Sequence, residues 1–278
     1  MDREKYAGRL KNRSLKYILL NMTSIPNISR SFYRFYKFGE FSPAIDDISE
    51  LTMDEAYECQ RRYVSLRISD GDEPCGYKVG CTSAAIREQF GFKEPIFGRL
   101  MKPGVIQEGE EVNANEFYSL AIEPELVLTL NQDLHDDQCS DEELLAAIGF
   151  VQPGIELHNY VYHYSSPTRQ ELICSNGLHA AQIVGRTKVD ACRIDWLLEG
   201  VGVFVNGKLV ASGVAADIME GPLNSLRSLI RHLSKRNGAL KAGDLVIPGS
   251  ATQLISVRPG DEVTCSFTNG GSVTTVFN

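Results

Sequence analysis

Eleven residues near the middle of the chain, Leu120-Ala121-Ile122-Glu123-Pro124-Glu125-Leu126-Val127-Leu128-Thr129-Leu130, constrain what it can fold into more than any others. They read as a strand, whose side chains alternate between two faces. One face carries Leu120, Ile122, Leu126, Leu128 and Leu130, with Pro124 among them. The other carries Ala121, Glu123, Glu125, Val127 and Thr129. Two carboxylates thus stand side by side among largely apolar neighbours. Like charges in a low dielectric repel, and each loses hydration. A divalent cation removes both penalties, because hard cations take carboxylate oxygens. Two glutamates near an exposed strand end need no such partner. The segment alone leaves both readings open.

The chain has 278 residues, of which 43% are hydrophobic and 23% charged. That is enough for one large domain with an appendage, or two modest ones, in a soluble globular protein. A net charge of -8 gives no broad attraction to nucleic acid or an anionic membrane. The seven cysteines are scattered and form no Cys-x-x-Cys pair. This suits a reducing compartment and argues against a structural zinc site. The start, Met1-Asp2-Arg3-Glu4-Lys5, is charged, and the nearest apolar run is only Tyr17 to Leu20. That is too short for a signal-peptide core or a membrane span, so the expectation is a cytoplasmic protein.

Tyr6, Leu10, Leu15, Ile18 and Leu19 give a loose helical pattern. From Ser24 to Ser42, aromatics including Phe32, Tyr33, Phe35, Tyr36 and Phe38 mix with Arg and Lys. Such a segment either stacks on nucleic acid or packs on protein, and the acidic total favours protein. Thr52-Met53-Asp54-Glu55 is a capping box that predicts a helix to about Ile68. Gly76-Tyr77-Lys78-Val79-Gly80-Cys81-Thr82 reads as a short strand. If Lys78 is buried there, its pKa falls and it can act as an acid or base. Alternatively only its stem packs and the ammonium reaches water. Ser83 caps a short helix through Phe90, which Gly91 stops.

A second capping box, Ser140-Asp141-Glu142-Glu143, opens a helix through Leu144, Leu145 and Ile148. Phe150 to His158 then reads as a strand that supplies a third carboxylate, Glu156. In Leu172 to Ala181, a Ser175-Asn176-Gly177 loop precedes His179. This stretch is either a polar pocket wall or a loop beside a hydrogen-bonded core histidine. The C-terminal third reads as β-rich. It holds a hairpin at Val203 to Val210 with an Asn206-Gly207 turn, a helix striped by Leu223, Leu226, Leu229, Ile230 and Leu233, and closely spaced later strands. Those strands fall at Leu245 to Pro248, Leu254 to Val257, Glu262 to Phe267 and Ser272 to Phe277. No dinucleotide, Walker, zinc-protease or nucleophile-elbow motif appears.

Six of these pieces, in order, resemble the 2-oxo-4-pentenoate hydratase and 4-oxalocrotonate decarboxylase family of the fumarylacetoacetate hydrolase superfamily. They are Leu51-Thr52 through Gln60, Gly76-Tyr77-Lys78-Val79-Gly80, Glu123-Pro124-Glu125, Pro153-Gly154-Ile155-Glu156, Gly221-Pro222-Leu223-Asn224, and Leu240-Lys241-Ala242-Gly243-Asp244. Their order and spacing carry the resemblance, which runs from about Ile48 to Asn278.

The resemblance implies an α+β fold, a mixed β-sheet roll around a metal site with peripheral helices. It implies an N-terminal helical arm over 1–72 and a catalytic domain over 73–278. Glu123, Glu125 and Glu156 would hold Mg²⁺ or Mn²⁺, with Lys78 as the active-site lysine. His179 is the second candidate for acid–base work, with Ser175, Asn176 and Thr252 at the substrate. The implied substrate is a 2-oxo or 2-hydroxy dienoic acid of aromatic catabolism, and the implied assembly a homo-oligomer for which Phe32 to Phe38 offers an interface. The chain departs from the family's Asp-Phe-Gly at Ile96-Phe97-Gly98 and from its Asp-Asn-Ala-Ser at Ser175-Asn176-Gly177-Leu178. His158 and His179 are the groups available to replace the lost acids. Ser250-Ala251-Thr252 looks more like the decarboxylase branch. Hydration, decarboxylation, β-diketone hydrolysis and a non-catalytic binding role all remain readings of the same site.

Overall fold

A computed structural model describes residues 25–40, 48–83, 94–160 and 167–278. The expected helices at Tyr6 to Leu19 and at Ser83 to Phe90 lie outside the described residues, apart from Ser83. The helices used below are α1 (25–38), α2 (Met53–Ser69), α3 (Asp141–Ala147), α4 (Arg169–Cys174) and α5 (Pro222–Ser234). The chain divides into two compact units, one formed by residues up to Gly71 together with Gln170–Ser175, the other by Asp72–Arg169 and Asn176–Asn278.

In the first unit, α2 starts at the expected capping box. Thr52 Oγ1 accepts from the Glu55 N–H at 3.3 Å, and the Glu55 carboxylate accepts from the Thr52 N–H at 2.8 Å. Ala56, Cys59 and Tyr63 lie on one buried helical face. Gln60 donates to the Ile173 carbonyl at 2.9 Å and Gln170 to the Leu51 carbonyl at 3.0 Å, which ties α4 to this helix. The aromatic segment packs within its own unit. Phe32 and Phe35 are buried, and the Arg67 guanidinium lies 3.7 Å from the Tyr36 ring centroid. Phe38 remains exposed.

The second unit holds twelve strands in two sheets among the described residues. They are β1 (Pro74–Gly80), β2 (Ile96–Met101), β3 (Val105–Gln107), β4 (Ala121–Leu130), β5 (Ile148–His158), β6 (His179–Val184), β7 (Gly200–Val205), β8 (Lys208–Val214), β9 (Leu245–Ile247), β10 (Ile255–Ser256), β11 (Glu262–Phe267) and β12 (Gly271–Val276). The larger sheet runs β2-β1-β9-β4-β5-β6-β3, with β10 also on β4; the smaller runs β12-β11-β7-β8. The larger sheet is mixed, since β1 pairs with β9 and β3 with β6 in parallel, whereas the smaller is antiparallel throughout. This is the expected α+β class. The Asn206-Gly207 turn joins β7 to β8 with both residues at positive φ, as a two-residue hairpin requires.

Strand alternation decides what each face of the large sheet does. Ile122 from β4, Ile155 and Leu157 from β5, and Ala181 and Ile183 from β6 point to one side. There they pack with Val203, Val263, Cys265 and Val273 of the small sheet. At roughly 1.5–3 kcal/mol for each fully buried aliphatic side chain, this layer fixes the register of all three strands. The residues between them must then face the other way. Directly opposed residues are Glu123 with Glu156, Glu156 with Gln182, and His158 with His179. The sheet also curls until the edge of β2 meets the turn before β6. Asn176 there donates to the Arg99 carbonyl at 2.9 Å and accepts the Arg99 N–H at 2.7 Å.

Gly76 lets β1 lie against β9. A Cβ there would stand 1.9 Å from the Leu245 carbonyl oxygen, which is backbone and cannot swing aside. Gly76→Ala should therefore cost about 3 kcal/mol of stability. Chemical denaturation would check this, and an unchanged midpoint would contradict the packing.

Candidate metal centre

The second face of the large sheet gathers charge. Lys78, Glu125 and Glu156 are each no more than 2% exposed, and Glu123 is half-buried. Burial of this kind rules out the solvated strand end as the explanation for the glutamate pair. Lys78 Nζ donates to Glu156 Oε1 and lies 3.5 Å from the Gly177 carbonyl. His179 Nδ1 lies 2.8 Å from the same Glu156 oxygen. His158 Nε2 lies 3.1 Å from Glu123 Oε2 and 3.6 Å from Glu156 Oε2. The Gly249 N–H donates to Glu125 Oε2 at 3.2 Å.

Ionisation follows from this packing. Burial opposes a charge on Glu156, but Lys78, His158 and His179 outweigh it and hold its carboxyl well below the usual range. Burial likewise opposes a charge on Lys78, yet Glu156, Glu123 and Glu125 hold its pKa above the ordinary value. The sequence expectation that burial lowers the Lys78 pKa is therefore reversed: the group is an ammonium. Burial raises the Glu125 carboxyl well above its normal range, with the charges of Glu156 and Glu123 adding to it. Burial pushes His179 down despite its bond to Glu156, so its imidazole is neutral near pH 7. Because ionised Glu156 can only accept, Nδ1 of His179 carries the proton and Nε2 keeps a lone pair.

Two observations fit a divalent cation. Glu156 Oε2 is buried and has no hydrogen-bond partner among the described residues. Leaving such an oxygen unmatched costs about 1–3 kcal/mol or more. Three carboxylates also face one ammonium. The cluster therefore holds more carboxylates than the ammonium can pair, and a bound cation would offset the excess. The donor atoms that converge, all within 4.8 Å of one another, come from Glu123, Glu156 and His158. Glu125 follows Glu123 on the same strand face but stands outside that trio.

The other expected site residues are placed differently. The Asn176 amide is bonded to the backbone of Arg99. Ser175 belongs to the first unit, where its hydroxyl donates to the Leu172 carbonyl at 3.0 Å. Thr252 is half-buried, and its hydroxyl donates to the Gln253 carbonyl at 3.1 Å. Its turn reaches the acids through Gly249. From the sequence, His158 reads only as an acid–base replacement. Its position two residues after Glu156 on a strand was the signal that it shares the acids' face.

The family described as Fumarylacetoacetate (FAA) hydrolase C-terminal matches residues 87–278. A 2-keto-4-pentenoate hydratase of Paraburkholderia xenovorans is 28% identical over 250 residues, covering 90% of this chain and 93% of that protein. A 4-oxalocrotonate decarboxylase of a Pseudomonas species is 29% identical over 235 residues, covering 84% and 91%. The structure of 4-oxalocrotonate decarboxylase from Pseudomonas putida G7, complexed with magnesium and adipate, superposes with a TM-score of 0.86. Its identity is 25%, over 91% of this chain and 97% of that one.

The buried charges give two tests on protein kept in chelator. Lys78→Met leaves Glu156 without its ammonium and should lower unfolding free energy by about 3–5 kcal/mol. A urea midpoint equal to that of the parent would contradict the ion pair. Glu125 binds its proton more tightly folded than unfolded, so stability falls as pH rises from about 4.3 through the folded value. Glu125→Gln should remove that decline and raise the midpoint near pH 8, with no gain below pH 4. Parallel pH profiles for the two proteins would refute the shift.

Proposed function

The chain belongs to the fumarylacetoacetate hydrolase family, and on that footing we propose that it is a metal-dependent hydro-lyase. Its substrate would be a 2-hydroxy-2,4-dienoate, hydrated in the manner of 2-oxo-4-pentenoate hydratases. The observation that carries the proposal is the unmatched Glu156 Oε2 facing Glu123 and His158 beside a buried ammonium. Glu123 and Glu156 would hold Mg²⁺ or Mn²⁺, with Glu125, the next acid on the same face, completing the carboxylate set. A cation bound there supplies Lewis-acid stabilisation of a 2-oxo acid as its enolate.

The chain's own groups then divide the proton work. Lys78, held protonated among carboxylates, is an acid and an electrostatic partner for an anionic substrate. His179, neutral and with its Nε2 lone pair free of Glu156, is the base that carries a proton along the conjugated chain. Glu156 fixes the His179 tautomer and anchors Lys78 at once. The apolar layer behind β4, β5 and β6 keeps water from reaching these groups through the sheet. Residues Asn176 and Thr252 shape the flanking turns, and Ser175 remains a substrate-binding candidate by resemblance. The family's second carboxylic acid is replaced by Ile96, a buried apolar residue paired with Gly80 across β1 and β2.

A second reading is decarboxylation of a related 2-oxo acid, in which the same enolate forms as CO₂ departs. It is favoured by the Ser250-Ala251-Thr252 turn beside Glu125 and by the likeness to the Pseudomonas putida decarboxylase. No described helix is long and apolar enough to cross a membrane. A cytoplasmic homo-oligomer completes the proposal.

Turnover of 2-hydroxypenta-2,4-dienoate should require Mg²⁺ or Mn²⁺ and vanish in chelator. Loss of absorbance at the diene band, with a 4-hydroxy-2-oxo acid as product, would mark the hydratase. Carbon dioxide release from 4-oxalocrotonate would mark the alternative. Glu125→Ala and Glu156→Ala should abolish cation binding by calorimetry, and undiminished affinity in both would sink the site. No turnover of either acid with cation binding retained would leave a non-catalytic relative.

A further inference from the structure

We propose that His158 is a nitrogen ligand to the cation, and that it makes this site select first-row transition metals over Mg²⁺ and Ca²⁺. The inference rests on the metal site proposed above and concerns which ion that site prefers. His158 lies on β5 two residues after Glu156, so both side chains leave the same face of the sheet. Its Nε2 is the third converging donor, 3.1 Å from Glu123 Oε2 and 3.6 Å from the unmatched Glu156 Oε2. The ring is buried to 3% exposure, opposite His179 on β6, so it cannot turn out into water.

A ring nitrogen in this place changes the donor set from oxygen alone to mixed nitrogen and oxygen. Mg²⁺ and Ca²⁺ are hard ions that favour oxygen and gain little from imidazole. Mn²⁺, Fe²⁺, Co²⁺ and Zn²⁺ accept imidazole readily, with affinities rising along that series as far as Co²⁺. The second nitrogen, Nδ1, is buried and has no partner among the described residues. It carries the proton when Nε2 turns its lone pair to the ion. A metal-bound histidine usually has an acceptor on that second nitrogen.

The alternative role for His158 is to orient Glu123 through a hydrogen bond. The two roles separate by ion. The full chain, stripped with chelator, is titrated with Mg²⁺ and with Co²⁺ by calorimetry, alongside His158→Gln. The wild-type protein should bind Co²⁺ more tightly than Mg²⁺ by about tenfold to a hundredfold, and most of that ratio should disappear in His158→Gln. Mg²⁺ affinity should change by less than about threefold. In protein loaded with Mn²⁺ and labelled with ¹⁵N-histidine, pulsed electron paramagnetic resonance should show a nitrogen coupling in the wild type and in His179→Gln. The coupling should be absent in His158→Gln.

Equal weakening of Co²⁺ and Mg²⁺ in His158→Gln would overturn the proposal in favour of the orienting role, and so would unchanged affinity for both. Absence of nitrogen coupling in the wild type would overturn it without reliance on any variant. If neither cation binds the wild-type protein, the metal-dependent reading fails along with this one. If both bind and the histidine makes no difference, only the present inference falls.

Discussion

A buried ion pair between Lys78 and Glu156 holds the centre of the larger sheet together electrically. Neither group could stay charged alone at that depth, because moving an ion out of water costs several kcal/mol even after relaxation. Each is kept ionised by the other and by the groups that the strands bring alongside. The pair joins β1 to β5, two strands with β9 and β4 between them in the sheet. Its existence therefore requires the sheet to curl, so that side chains on non-adjacent strands can meet over one face. The apolar layer on the opposite face makes that curl stable, since it commits alternate residues of β4, β5 and β6 to the small sheet.

The local parts of this arrangement were legible in the sequence. Two capping boxes, the Asn206-Gly207 hairpin, the striped α5 helix and the alternating strand around Glu123 all stand where short-range chemistry puts them. Strand β2 carries no such local signal, since Ile96-Phe97-Gly98 lacks an alternating pattern. What the sequence could not supply was partnership across the sheet. The direction of the Lys78 shift depends on carboxylates that arrive from β4 and β5, so burial alone predicted the wrong sign. Glu125 reads as equivalent to Glu123 in the sequence. It differs in the fold because Gly249, 124 positions away, donates to it. The two-residue spacing puts His158 on the face of Glu156, but its approach to Glu123 depends on the register that pairs Glu156 with Glu123 across β5 and β4.

The chemistry of the site is more narrowly constrained than its product. An excess of carboxylates over ammonium, a carboxylate oxygen unmatched among the described residues and a neutral imidazole beside the ammonium together suit the stabilisation of an enolate. Whether water is added or carbon dioxide lost depends on groups that flank this cluster, where the chain departs most from the pattern it resembles. Ile96 presents a methyl-rich surface where a carboxylic acid is expected. On the proposed reading, the two histidines would take over that role. Such a redistribution would, on that reading, keep the electron sink and change the proton route, as expected for relatives that share one scaffold and differ in reaction.

The junction at Asn176 has a consequence of its own. The sheet is sealed there by one amide side chain reading both backbone groups of Arg99, where elsewhere a whole neighbouring strand does so. The two bonds that the Asn176 amide makes there join β2 to the turn before β6 without a strand ladder between them. This junction stands immediately before the Gly177 carbonyl that lies against the Lys78 ammonium, so one short turn both closes the sheet and walls the lysine. A substitution at Asn176 would therefore act on the closure of the sheet and on the setting of the lysine together.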